Sequence, residues 1–182
     1  MSAIEIRLPS PPLTDGVVTL RRLLEADRSA VLAGMGDPLV GRWLNMPDFP
    51  EHRHFDELLR TVDHGWAAGT RCDLAIADED DRWVGAVIAS KRHRENWELA
   101  YLAGAAGRGR GLVTRAVQLV CTWLFDAGVG RIEIRTHPEN VPSQRVAERC
   151  GFQLEGRERR SIWLHGRRQD AVLWSLLPDD PR

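Results

Sequence analysis

The strongest constraint on this chain is a stretch that folds well only as a helix with one dry side. Val113, Ala116, Val117, Val120, Cys121, Leu124 and Phe125 recur at i, i+3, i+4, i+7, i+8, i+11 and i+12, the spacing that gathers side chains into one stripe along a helix. Such a stripe needs an apolar surface to lie on, and Gly128 supplies a stop. The residues in front of it are as distinctive: Gly107-Arg108-Gly109-Arg110-Gly111. Glycines let backbone N–H groups close on an anion. A helix N-terminus behind them adds unpaired donors and about half a positive charge, and Arg108 and Arg110 add mobile positive charge. Such a site fits a pyrophosphate.

The flanking sequence supplies the surface for the stripe. Val17–Leu23 reads as a strand after a Pro-rich, loosely ordered start over residues 1–14. Leu24–Met35 reads as a helix, Asp37-Pro38 opens a second, and Glu51–Ala67 carries Phe55, Leu58, Leu59 and Val62 at helical spacing. Strand-like runs follow at Cys72–Ala77, Trp83–Ser90 and Trp97–Ala103, with an acidic turn at Asp78–Asp81. Beyond the striped helix, Arg131–Thr136 alternates as a strand, and Pro142–Arg149 is a short helix ended by Gly151. Phe152–Leu164 and Gln169–Leu177 close the chain as a hairpin around His165-Gly166. The order is strand, three helices, three strands, helix, strand, helix and two strands. This predicts one α/β (α+β) domain over residues 1–182, with helices packed on a sheet of about seven strands.

Other readings of the loop fit less well. A dinucleotide fold wants a third glycine where Leu112 stands. A P-loop wants Gly-Lys-Ser/Thr, and the only lysine in the chain is Lys91. A single-strand nucleic-acid segment rich in Arg and Gly would be longer and less bounded by regular elements. The formal net charge of −1 also argues against a nucleic-acid partner. No apolar run approaches the roughly 18 residues that span a bilayer. The three cysteines, Cys72, Cys121 and Cys150, are widely spaced with no CxxC pair, which disfavours a disulfide framework or zinc site. Cys121 lies on the apolar stripe, as a packed thiol would. His52 and His54 are two apart on a helix and face different sides, so they form no metal pair. These features, with no apolar leader at the start, place the expected location in the cytoplasm. The tryptophans are scattered through predicted elements, as buried residues would be. Arg157, Arg159, Arg160, Arg167 and Arg168 flank the last turn, and simple alternation puts Arg157 and Arg159 on one face, away from Arg160.

Several motifs in order resemble the GNAT superfamily, and within it the branch that acetylates the N-termini of ribosomal proteins. They are Glu98-Leu99-Ala100-Tyr101, Gly107 to Gly111, Asn140-Val141-Pro142-Ser143 and Glu148-Arg149-Cys150-Gly151-Phe152. Gly166-Arg167-Arg168-Gln169-Asp170 to Leu177, and Val17–Leu23 with Asp27, extend the likeness over most of the chain. The resemblance implies a mixed, mostly antiparallel sheet whose fourth and fifth strands run parallel and splay apart. The pantetheine arm of acetyl-CoA, or another acyl-CoA, lies in that gap and bonds to exposed backbone groups as an added strand would. The implied donor site comprises Tyr101, Leu102, Ala103, Arg108, Gly109, Arg110, Gly111, Leu112, Val113, Asn140 and Ser143. No metal is implied. Ala106 replaces the family's usual Gln or Arg at the head of the loop.

The implied reaction is direct acyl transfer to a primary amine on a peptide or small molecule. Glu98 is the leading base, with an edge-strand carboxylate paired to arginine as its other reading, and His137 is a second candidate. A backbone N–H near Leu102 or Ala103 would meet the charge growing on the thioester oxygen. Many members place a Tyr acid where Ala147 stands, so Ser143 becomes the remaining donor to the thiolate, or else a helix cap. A chain that kept the cradle and lost its acid–base groups would be a non-catalytic acyl-CoA sensor. The acceptor pocket is expected from about Gly34–Ala68 and Arg157–Arg168. Pairing of two copies through an edge strand stays open.

Overall fold

A computed structural model describes residues 4, 6–93 and 95–181; Met1–Ala3 and Glu5 of the expected loose start lie outside the described residues. Eight strands form one sheet: β1 (Leu13–Thr14), β2 (Thr19–Arg21), β3 (Arg71–Ala77), β4 (Trp83–His93), β5 (Asn96–Ala103), β6 (Arg131–Thr136), β7 (Gln153–Leu164) and β8 (Arg167–Leu176). Their order is β1-β2-β3-β4-β5-β6-β8-β7. The α-helices are α1 (Arg28–Met35), α2 (Pro38–Gly41), α3 (His52–Ala68), α4 (Leu112–Asp126) and α5 (Val141–Arg149). The strand beyond the expected seven is β1, inside the stretch read as loose. Asp15 creates it by accepting from the amides of Val17 and Val18 at 2.9 Å, which turns the chain back on itself and shortens the expected first strand.

The helix expected from Leu24 begins later, at Arg28, after a short 3₁₀ turn over Glu25–Asp27. Asp27 is the cause. Its buried carboxylate accepts from the Leu24 amide at 2.9 Å and from two nitrogens of Arg21 at 2.8 and 3.0 Å. On β7, register shifts at Leu154/Gly156 and Glu158/Ile162 break the simple alternation expected of its arginines. Arg160 takes a φ of 54°, with its amide on Asp170 Oδ1 at 2.9 Å.

Two apolar layers sandwich the sheet. On one face α4 buries Val113, Ala116, Val117, Val120, Cys121 and Leu124, together with α5, against Leu74, Ile76, Val84, Trp97, Leu99, Ile132 and Ile134. On the other, α1 and α3 pack Val31, Phe55, Leu58 and Leu59 on Ala75, Trp83 and Leu102. β3 is buried on both sides and its acidic member, Asp73, is satisfied by two bonds from Arg71 at 2.7 and 2.8 Å. The three thiols are buried, and none forms a disulfide among the described residues. Burial pushes those of Cys72 and Cys150 up to about 12, so they are poor nucleophiles.

Among the described residues β5 and β6 are the one parallel pair, as expected of two strands joined through a crossover helix. Their register runs only from Asn96↔Arg131 to Leu99↔Ile134. Beyond it β5 stays on β4 as far as Ala103↔Gly85, and β6 stays on β8 as far as Thr136↔Val172. The expected splay is therefore present, between the fifth and sixth strands of this chain.

Where the second apolar layer leaves the sheet, a charged network takes over. Arg135 reaches Glu98, Glu133 and Glu158 at 2.8 to 2.9 Å, and Arg131 reaches Glu133 at 2.7 Å and Glu155 at 2.8 Å. Arg131, and next Ser175, hold the Glu155 carboxyl at about 2, against an ordinary 4.5. A carboxyl depressed in the folded state stabilises fully above its unfolded value and loses that contribution as pH falls through the folded value. Replacing Glu155→Gln should thus lower the melting temperature near pH 7 by about 2 °C, a small effect because the pair is solvent-screened. The gap to wild type should close between about pH 4.5 and 2, read by thermal melts across that range.

Candidate active site

The splay opens into a cavity of about 690 Å³. Of the residues singled out in the sequence, Glu98, Tyr101, Leu102, Ala103, Arg108, Gly109, Gly111, Leu112, Val113, His137, Asn140 and Ser143 all line it. Arg110 does not. Its guanidinium turns to the other side of the loop, 3.5 Å from Asp78 and 3.3 Å from the Ala106 carbonyl. Arg108 lines the cavity, but it is pinned to Asp37 at 2.7 Å. The mobile charge expected of the two arginines is thus held in ion pairs, because the fold brings Asp37 and Asp78, distant in the chain, beside the loop.

The loop itself is shaped for close approach. A Cβ on Gly107 would stand 2.3 Å from the Val84 carbonyl oxygen, so only glycine lets the loop press on β4 there. Gly109 and Gly111 hold φ of 71° and 73°, and a Cβ on either would meet open space. α4 starts with no side-chain cap and no acidic residue in its first turn, which leaves its leading N–H groups to an anion. By contrast α5 is capped, Asn140 Oδ1 accepting from the Ser143 amide at 3.3 Å. An uncapped helix end behind an open glycine cradle fits the pyrophosphate of coenzyme A.

The proton-handling candidates lie on two sides of the gap. Glu98 Oε2 accepts from Arg92 at 2.6 Å and from Arg135 at 2.8 Å. The pairing with arginine considered as its alternative reading is therefore present, and neither bond uses Oε1. His137 has both ring nitrogens engaged: Nδ1 accepts from the Glu139 amide at 3.1 Å and Nε2 meets Gln169 Oε1 at 2.9 Å. This network leaves it poorly placed to take a proton. Ser143 is not the cap of α5. Its Oγ donates to the Tyr101 hydroxyl at 3.1 Å, and that hydroxyl donates to the Ser143 carbonyl at 2.8 Å. Burial raises the Tyr101 phenol, outweighing the opposing bond with Ser143, so it stays protonated at neutral pH. Ala147 is fully buried in the core.

The far wall was placed by the sequence only as a region. Trp43, Leu44 and Asn45, after α2, face Ile162, Trp163 and Leu164 of β7 across the cavity. Asn45 ties them together, donating to the Trp163 carbonyl and accepting from the His165 amide, both at 2.9 Å. Sequence reasoning missed Asn45, Asp37 and the Tyr101–Ser143 bond, since each depends on pairings far apart in the chain.

Fold and cavity together have the form of a coenzyme A-dependent acyltransferase domain, with a cavity between splayed strands beside an uncapped glycine loop. The chain belongs to the GNAT acetyltransferase family: a family model described as an acetyltransferase (GNAT) domain matches residues 18–153. The uncharacterized N-acetyltransferase p20 of Bacillus licheniformis is 27% identical over 164 residues, 88% of this chain and 92% of that one. The microcin C7 self-immunity acetyltransferase MccE, solved with acetyl-CoA and AMP, has a TM-score of 0.82 at 22% identity, over 92% of this chain and 97% of its own. The ribosomal-protein-S5-alanine acetyltransferase of Vibrio fischeri has a TM-score of 0.77 at 20% identity, over 91% and 95%. The protein is an acyl-CoA-dependent N-acyltransferase, and acetyl-CoA is the ligand named for MccE. Among the described residues no cluster could hold a metal ion, and no helix is long and apolar enough to cross a membrane.

The two kinds of glycine in the loop should separate by stability. Gly107→Ala forces a backbone clash and should lower the melting temperature by about 4–8 °C. Gly109→Ala meets open space and bears only the left-handed φ, so about 3 °C is expected. Equal losses in a thermal melt would contradict the close approach at Val84.

Proposed function

We propose that the chain transfers an acetyl group from acetyl-CoA directly to a primary amine, with both substrates held in the one cavity and a peptide or protein N-terminus as the acceptor. One observation carries this reading: the same cavity is lined by the uncapped loop–helix at residues 107–113 and by Glu98 and Ser143. Anion cradle and proton-handling groups therefore share a space. The peptide acceptor draws support from the walls after α2 and along β7, which flank Glu98, and from the activity named for the Vibrio fischeri relative. Buried cysteines outside any disulfide suit a reducing compartment, and we place the reaction in the cytoplasm.

The bound donor supplies an activated acyl carbon as a thioester. The loop over residues 107–111 and the first amides of α4 hold its pyrophosphate. The β5 edge over Ala100–Ala103, which has no strand opposite it, offers backbone groups to the arm, and an amide near Leu102 or Ala103 stabilises charge on the carbonyl oxygen. Asn140, its Oδ1 committed to the α5 cap, has its amide N–H groups left for the arm. A free alkyl ammonium is mostly protonated near pH 7, so the attacking amine must lose a proton. Glu98 takes it through Oε1, directly or by way of water, while Arg92 and Arg135 hold Oε2 in place. The Ser143 hydroxyl donates a hydrogen bond to the leaving thiolate, which then takes its proton from solvent. Tyr101 stands behind it as a protonated phenol, bringing from β5 the hydroxyl that α5 lacks at Ala147.

Acetyl-CoA at 100 times its dissociation constant should raise the melting temperature by roughly 5–10 °C. Glu98→Gln should lower kcat on a peptide amine by about 100-fold while keeping that thermal shift. Ser143→Ala should do the same by about tenfold. A wild-type chain that shows the shift but turns over no peptide, amino-acid or small-amine acceptor is a sensor, and the catalytic reading fails.

A further inference from the structure

The last residue of β6 carries a hydroxyl that the fold leaves alone. Thr136 is 3% exposed, and its Oγ1 has no hydrogen-bond partner among the described residues. A buried hydroxyl without a partner lowers stability, and valine would fill the same space without that penalty. Three other buried polar atoms share this state, the indole N–H groups of Trp66, Trp97 and Trp174. Each comes with a large ring that the core can use, and none of those residues lines the cavity. Thr136 does line it.

Its position says what the hydroxyl is for. Alternation along β6 puts Thr136 on the face of Ile132 and Ile134, the side covered by α4 and α5. Tyr101, whose hydroxyl meets Ser143, takes the same face on β5, two residues past Leu99. Toward β8, Thr136 still pairs with Val172, but toward β5 the parallel ladder has already ended at Ile134. The residue before it, Arg135, bonds Glu98 at 2.8 Å, so Thr136 stands near the reacting end of the gap.

We propose that the Thr136 hydroxyl is a binding group for the thioester end of acyl-CoA, donating a hydrogen bond to it as it crosses the splay. The inference rests on the acyl-CoA reading of the cavity. The free protein then carries an unsatisfied hydroxyl that ligand binding satisfies, and valine would make the free chain more stable and a poorer binder.

Calorimetric titration and thermal melts of the full chain test this with Thr136→Val and Thr136→Ser. The valine variant should melt about 2–4 °C higher without ligand. It should bind acetyl-CoA about three- to tenfold more weakly, while the serine variant stays within about twofold of wild type. Adenosine 3′,5′-bisphosphate, which lacks the arm, should bind wild type and Thr136→Val alike. Should the valine variant be poorly folded, Thr136→Ala carries the same expectation for affinity. Undiminished acetyl-CoA affinity without the hydroxyl, or an equal loss for both ligands, overturns the assignment. A wild type that binds neither ligand overturns the acyl-CoA reading, and this proposal with it.

Discussion

β5 and β6 are partners for four residue pairs and then part, because each strand end is held by a different neighbour. β5 follows β4 to Ala103, where the chain is fastened again: the Gly104 amide donates to the Val84 carbonyl at 2.9 Å, and Gly107 lies directly on that carbonyl. β6 follows β8 to Thr136. A parallel pair joined through a helix cannot simply zip to its ends when both ends are committed elsewhere. The gap is therefore set by backbone contact, and so is the anion cradle, which is the next stretch of chain. Moving Gly107 off Val84 would disturb both at once.

The side chains of the gap are set by charge. Of 25 basic residues only one is lysine, and the planar guanidinium fork suits the multiple carboxylates found here. Arg135 spans Glu98, Glu133 and Glu158, so the orientation of Glu98 is tied to β6 and β7 as well as to its own strand. Arg108 extends the same logic to the cofactor loop. Its bond to Asp37 joins the loop to the N-terminus of α2, beyond which Trp43, Leu44 and Asn45 line the far wall of the cavity. The loop and that wall are thus mechanically connected through one ion pair.

Local patterns carried most of the fold into the sequence. The stripe from Val113 to Leu124, the glycine loop and the strand alternation each depend on neighbours within a few residues, and each appears where the spacing put it. What was hidden depends on distance. Asp15 makes β1 by folding the chain back over a turn that the Pro-rich composition masked. Bulges on β7 cancel the alternation that would have sorted its arginines. In the site, the glycine loop and the Glu98, Asn140 and Ser143 motifs were legible as residue types. Whether Ser143 capped α5 or faced Tyr101 was not, because Asn140 could serve as the cap instead and only packing decides between them. Thr136 carried no signal at all. A threonine ending a strand is ordinary until its hydroxyl is seen to be buried and alone.

Three of the places where the free protein leaves polar groups unsatisfied converge on one cavity. α4 lacks a cap, although α5 nearby has one. The β5 edge lacks a strand over Ala100–Ala103. Thr136 Oγ1 lacks a partner among the described residues. Each is a small local cost that a chain under selection for stability alone would remove with a serine, a longer ladder or a valine. A single ligand with an anionic head, an amide-bearing arm and a polar acyl end could satisfy all three, and coenzyme A thioesters have that form. The binding of such a donor would complete hydrogen bonding that the chain leaves open, so part of the stability of the working enzyme resides in its substrate.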